Sequence, residues 1–204
     1  MKEEAGGIYH IYNEGNNLQL LYADREEYLL FLKEYRRYVH SFADTLCYCL
    51  IPNHIHFLIH AIQRSVEEIK LGSIYLQCVS NGFRRLLSAF AHHINKKRNT
   101  KGSLFRQKTM AKRIDEIDTG KGLSYAELCF YYIHQNPVKA MLVERVNDWE
   151  FSSARDYLGE RSGTLCNKKL MQKVAGWQTE EPALIQFDRF VPHETTKHFY
   201  LLRN

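Results

Sequence analysis

The chain predicts an α+β domain, an antiparallel sheet with helices packed on one side, followed by a C-terminal extension. Three observations carry this expectation. Strand-like alternation and helix-like spacing interleave along residues 8–135 instead of segregating. Pro52-Asn53 separates two apolar runs, which marks a hairpin turn. The 204 residues are 45% apolar, enough for one core of ordinary size.

Residues 8–12 are aromatic and β-branched and read as a short strand, broken by a turn over Asn13-Glu14-Gly15-Asn16-Asn17. Residues 24–40 carry Tyr28, Leu29, Phe31, Leu32, Tyr35 and Tyr38 at spacings of three and four behind Asp24 as N-cap, the pattern of an amphipathic helix. Residues 45–51 and 54–61 form the hairpin. Ser65-Val66-Glu67-Glu68 reads as a capping box opening a second helix. That helix is interrupted or restarted near Gly72 and resumes with Val79, Phe83, Leu86, Leu87, Phe90 and Ile94 on one face. Residues 110–114 read as a short strand and 118–122 as a loop. Ser124-Tyr125-Ala126-Glu127 is a second capping box, and its helix runs to about Gln135, where it ends or kinks because Pro137 disfavours helix at Asn136. The order βαββαβα matches a ferredoxin or RNA-recognition-type sheet with the hairpin central. The pattern weakens after Gly159. Residues 1–159 are therefore expected to form the domain and residues 160–204, with Trp177 and Phe187-Asp188-Arg189-Phe190, an extension of unassigned role.

No run of eighteen apolar residues is present, and Met1-Lys2-Glu3-Glu4 is not followed by the apolar stretch of a signal peptide. No membrane association and a cytoplasmic location are expected. Cys47, Cys49, Cys78, Cys129 and Cys166 are odd in number and scattered among apolar neighbours, so they read as reduced core residues. Net charge is only +5, yet residues 69–114 hold no Asp or Glu. That stretch contains Lys70, Arg84, Arg85, Lys96, Lys97, Arg98, Lys101, Arg106, Lys108, Lys112 and Arg113. Such a block suits a phosphate backbone, through neutralisation and counterion release; it is also what a solvated basic face looks like. Phe105 beside Arg106 favours nucleic acid, since both planes can stack on bases.

Ile55, Phe57 and Ile59 alternate with His54, His56 and Leu58, so the two histidines share a strand face. Same-face neighbours stand about 6.5–7 Å apart, and their imidazoles can converge on one divalent cation. Taken alone, the pair is equally the wet side of a half-buried hairpin. His60 has the same parity but lies about 13 Å further on, too far to share the ion. In Tyr131-Tyr132-Ile133-His134-Gln135-Asn136-Pro137, Tyr132 and Asn136 stand four apart on one helical face. If that helix packs near the hairpin, Asn136 is a third ligand and Tyr132 points at the substrate; otherwise both belong to an ordinary amphipathic helix.

Pro52-Asn53-His54-Ile55-His56 resembles the histidine-hydrophobe-histidine (HUH) motif of single-tyrosine transposases, and Tyr132-Ile133-x-x-Asn136-Pro137 resembles the tyrosine motif of their REP-associated branch. The resemblance extends through Tyr9-His10 with Gly15-Asn16-Asn17, Gly102-x-Leu104-Phe105-Arg106, Asp148-Trp149-x-Phe151-Ser152-Ser153 and Tyr157-Leu158-Gly159. Glu14 departs from it, standing where relatives often carry a basic residue. The resemblance implies a nuclease and strand transferase acting on single-stranded or hairpin DNA, as monomer or homodimer, among nucleoid DNA. It makes Tyr132 the nucleophile, with His54, His56 and Asn136 as ligands to Mg²⁺ or Mn²⁺. Tyr131, 100° round the helix, is the structural tyrosine, and His134 or a metal-bound water is a candidate base.

Three other readings follow from the residues. Cys47 and Cys49 lie on the strand antiparallel to His54 and His56, and an even loop puts Cys49 across from His56, as in a structural zinc site of a nucleic-acid-binding module. A domesticated protein would grip DNA hairpins without cutting. A metal-dependent hydrolase of another substrate would need carboxylates at metal-site spacing near the hairpin, and none is evident.

Overall fold

Strands β1 (Ile8–Glu14), β2 (Ala43–Ile51), β3 (His54–Ala61) and β6 (Met110–Arg113) form one antiparallel sheet in the order β2-β3-β1-β6. A computed structural model describes residues 2–115 and 124–177, and every structural statement concerns those residues. The remaining elements are α1 (Arg25–Tyr38), α2 (Gln63–Val66), β4 (Glu68–Leu71), β5 (Ile74–Gln77), α3 (Cys78–Arg98), α4 (Tyr125–Lys139), α5 (Ala154–Tyr157) and α6 (Lys168–Ala175). The α+β class with an antiparallel sheet is as the sequence predicts. β1 and β3 are its central strands, so the hairpin contributes one central strand and one edge.

Alternation along the strands sends one set of side chains to each face. Tyr9, Ile11, Tyr48, Leu50, Ile55, Phe57 and Ile59 pack with α1 and α3 into one core. Tyr35 of α1 stacks on Phe57 at 4.1 Å, and Phe31 meets Phe90 of α3 edge-on at 5.0 Å. The two helices approach so closely that a Cβ on Gly82 would stand 2.5 Å from the Tyr38 carbonyl oxygen. Asp24 caps α1 as expected, accepting from the Glu27 amide. Glu27 is buried and holds Arg98 at 2.6 Å and Lys97 at 3.0 Å, which ties the end of α3 to the start of α1. The opposite face carries Cys47, Cys49 and Leu58 and is covered by α4 and α6 through Cys129, Phe130, Ile133, Met171 and Ala175.

Three expectations are corrected. Ser65 does not open a long helix: its hydroxyl donates to the Phe42 carbonyl instead of capping, and α2 ends at Val66. Residues 68–77 form the β4-β5 hairpin, in which Leu71 pairs with Ile74 across Gly72-Ser73. Gly72 has φ +62°, a left-handed conformation natural to glycine in a two-residue hairpin turn. α4 does not stop at Gln135 but runs through Pro137 to Lys139. β1 continues to Glu14, so Asn13 and Glu14 are strand residues.

The loop expected at 118–122 lies outside the described residues, as does Phe187-Asp188-Arg189-Phe190. Within the proposed extension, Asn167 donates its amide to the Thr45 carbonyl at the edge of β2. Trp177 packs on Phe130 at 5.1 Å and donates to Glu127.

Candidate active site

The register of the sheet assembles more than the two histidines. Glu14 pairs with His54, Tyr12 with His56, and Lys112 of β6 lies opposite His10. Strand parity therefore puts His10, Tyr12, Glu14, His54, His56 and Lys112 on the face that α4 covers. His10 and His56 stack at 5.2 Å with 3.0 Å between His10 Nε2 and His56 Nδ1. Tyr12 lies 4.8 Å from the His10 ring and 6.1 Å from that of His56. Burial, then the charge of Lys112, pushes His10 down to about 3; burial, then His10 and His54, holds His56 well below the usual imidazole range.

α4 brings Tyr132 onto this cluster. Its ring meets His56 edge-on at 5.8 Å and His10 at 6.0 Å. The Lys139 ammonium, two turns further along, stands 5.3 Å over the same ring, and burial lowers its pKa. Tyr131 packs edge-on against Phe130 at 5.6 Å. His134 points elsewhere: Nε2 is 2.8 Å from Ser153 Oγ, the ring packs on Phe130 at 4.2 Å, and burial pushes it down to about 3. That placement corrects its candidacy as the base.

Asn136 is buried, and its Nδ2 donates to the Tyr132 carbonyl at 2.9 Å and reaches the Ile133 carbonyl at 3.4 Å. The second carbonyl is the one that loses its helical donor to Pro137, which has no N–H. Anchoring Nδ2 leaves Oδ1 as the atom able to meet a cation. With His56 Nδ1 turned to His10, Nε2 is likewise the ligating atom of that ring. Imidazole nitrogens and an amide oxygen form a donor set that a divalent cation can use. As they stand, the rings of His54 and His56 are nearly parallel at 6.1 Å, and among the described residues no three His, Cys, Asp or Glu side chains converge on one point. Cys49 does pair across from His56, but its thiol is buried and raised above the usual range by burial.

The basic block divides across the sheet. Arg84, Arg85, Lys96, Lys97 and Arg98 belong to α3, behind the face that bears the histidines. Arg84 is held by Asn81 at 2.8 Å, Arg85 lies over Tyr38 at 4.7 Å, and Lys96 lines a cavity of about 310 Å³ between α1 and α3. Lys97 and Arg98 are engaged with Asp24 and Glu27. Arg113 pairs with Glu4 at 2.5 Å and Asp115 at 3.1 Å. Lys101 and Lys108 are exposed in the connection to β6. Arg106 reaches Glu14 at 2.6 Å, and Lys112 faces His10, so these two stand beside the site.

Sequence reasoning assigned no site role to His10, Tyr12, Glu14 and Lys139. The first three become visible once β1 is laid antiparallel to β3, because they share one parity. Lys139 is seven residues, two helical turns, after Tyr132.

Fold and site define an α+β protein in which a histidine pair on a central strand faces a tyrosine on a covering helix. A solved structure of a REP-associated tyrosine transposase bound to a REP hairpin has the same fold, with 18% identity and a TM-score of 0.54 over 82% of this chain and 94% of that one. No family model and no curated protein matches the sequence. Among the described residues no helix is long and apolar enough to cross a membrane.

Proposed function

We propose that this protein is a metal-dependent nicking and joining enzyme for single-stranded DNA, a transposase-type strand transferase that recognises DNA hairpins and uses Tyr132 as its nucleophile. The observation that carries the reading is the meeting of the Tyr132 ring with His56 at 5.8 Å and His10 at 6.0 Å. Two motifs distant in sequence come together only because α4 covers the histidine face. The hairpin bound by the neighbour of the same fold supports the substrate class.

His54, His56 and Asn136 Oδ1 would hold Mg²⁺ or Mn²⁺, which supplies charge stabilisation at a non-bridging phosphate oxygen. Tyr132 Oη forms a bond to phosphorus, the bond to the 3′ oxygen breaks, and a 5′-phosphotyrosine and a free 3′ hydroxyl result. The Lys139 ammonium beside the ring favours loss of the phenol proton. His10, on His56 Nδ1, fixes the ring so that Nε2 faces the ion. A second strand's 3′ hydroxyl reverses the reaction, and no nucleotide cofactor is consumed. Arg106, Lys108 and Lys112 are the basic residues best placed for the phosphates entering this face.

Tyr132→Phe against Tyr131→Phe tests the reading. With a single-stranded hairpin substrate labelled downstream of the cut, the label should migrate with denatured parent and Tyr131→Phe protein and be absent from Tyr132→Phe. An adduct in Tyr132→Phe, or cleavage by the parent with no attached protein, makes a metal-activated water the better nucleophile. Hairpin binding without cleavage in any variant or ion points instead to a domesticated binder.

A further inference from the structure

Glu14 is the last residue of β1 and the cross-strand partner of His54. Its Oε2 lies 2.8 Å from His54 Nε2, and its Oε1 lies 2.6 Å from Arg106 Nη1. Arg106 is itself tied to the strand, donating its backbone amide to the Glu14 carbonyl. The carboxylate is thus gripped at one oxygen and presents the other to the imidazole. Its side chain is 21% exposed, so it is largely sheltered from water.

His54, His56 and Asn136 offer two imidazole nitrogens and one amide oxygen, with no negative charge. Small hard dications bind through oxygen and commonly take one or two carboxylates. Ligands at about 2.1 Å on adjacent corners of an octahedron stand about 3.0 Å apart. The 2.8 Å between Glu14 Oε2 and His54 Nε2 is close to that edge, so a cation can be admitted between them with little backbone movement. His54 Nδ1 is engaged by Asn53 Oδ1 at 2.8 Å, which leaves Nε2, the atom facing Glu14, as the ligating nitrogen.

We propose that Glu14 is a ligand of the divalent cation, bound through Oε2 beside His54, with Arg106 holding the second oxygen and keeping the carboxylate monodentate. This rests on the metal site of the proposed function and adds its one anionic donor. In the structure Glu14 Oε2 lies against His54 Nε2, the two atoms between which the ion would be held.

The test is Mn²⁺ binding to the full chain without DNA, followed by electron paramagnetic resonance, for the parent, Glu14→Gln, Glu14→Ala and His54→Ala/His56→Ala. Circular dichroism melts check that each variant folds. Glu14→Gln keeps the size and an acceptor oxygen but loses the charge. It should weaken Mn²⁺ at least ten-fold while the ion it still takes up keeps its nitrogen coupling to histidine. Glu14→Ala should weaken it at least as much. Unchanged or tighter binding in both Glu14 variants overturns the proposal, since Glu14 would then only compete for His54. Loss of nitrogen coupling belongs to the double histidine variant. If that variant binds Mn²⁺ as the parent does, the metal site of the proposed function fails, whatever Glu14 does.

Discussion

Replacing Asn136 by alanine tests whether its amide makes good the defect that Pro137 leaves in α4. The parent has Nδ2 on the Tyr132 carbonyl at 2.9 Å and, more weakly, on that of Ile133 at 3.4 Å. Losing the first bond costs about 1 kcal/mol, and leaving the buried Ile133 carbonyl without a donor costs about 1–2 kcal/mol more. Alanine returns about 0.5 kcal/mol through its helix propensity. Asn136→Ala should therefore destabilise by about 1.5–2.5 kcal/mol. In a Pro137→Ala background the backbone N–H at 137 serves Ile133, and the same change should cost about 0.5–1 kcal/mol. Urea unfolding of the four proteins gives the coupling, expected at about 1 kcal/mol. Equal costs in the two backgrounds would refute the compensation, and with it the reason for Oδ1 being the amide's ligating end.

If the proposed function holds, chelation should abolish cleavage but leave most hairpin binding, because the ion would act at the scissile phosphate whereas phosphate contacts would come from basic side chains beside the site; parallel titrations of cutting and binding with EDTA check it, and equal loss of both would contradict it. Glu27→Gln should destabilise by about 3 kcal/mol in chemical denaturation, since it leaves Lys97 and Arg98 without their buried carboxylate, on which Arg98 closes at 2.6 Å. His134 is held down to about 3 by burial, whereas the unfolded chain takes up its proton near 6.5. Its contribution to stability is thus intact above pH 6.5 and falls by about 1.4 kcal/mol per pH unit below it, until the folded state protonates near 3. His134→Gln keeps a partner for Ser153, and its stability curve should be flatter by that slope between pH 6 and 4.

What the sequence disclosed was what is local. The alternation through His54 and His56 needs only neighbouring residues, as do the Asp24 cap and the apolar spacing of α1 and α3. Glu14 and His10 were not legible as site residues because their roles depend on which strand lies beside β3, a pairing set by contacts far apart in the chain. Residues 65–77 were misread for a related reason. The capping-box pattern was genuine, but Ser65 spends its hydroxyl on Phe42, a tertiary contact that no local pattern reveals. The basic block misled in a third way, since its neighbours in sequence are split by the thickness of the sheet. At Pro137 the missing donor, which predicts an end or a kink, is visible in sequence, while the amide that replaces the donor is visible only in the folded helix.

The face on which the histidines emerge depends on a register that the chemistry itself does not secure. A slip of one residue would turn Ile55 and Phe57 toward Tyr132 and His54 and His56 into the aromatic core. Clamps at both sides of the hairpin prevent it. On one side the Gly15 amide donates to the Asn53 carbonyl at 2.8 Å and the Leu21 amide to that of Pro52 at 2.7 Å. On the other, Trp149 Nε1 donates to the Leu50 carbonyl at 2.8 Å, the Leu50 amide to Phe151, and the Tyr48 amide to Ser153 Oγ at 2.9 Å. Arg161 braces this second clamp through Asp156 and the Ser152 carbonyl. The segment from Trp149 to Ser153, which contributes to the transposase resemblance, therefore acts on the site through strand position. Its bonds run to β2 and to α4 through His134, and they hold the edge strand that in turn fixes β3. Such a motif can matter without lying at the site itself, because a two-residue alternation converts a register error into the loss of both histidines from that face at once.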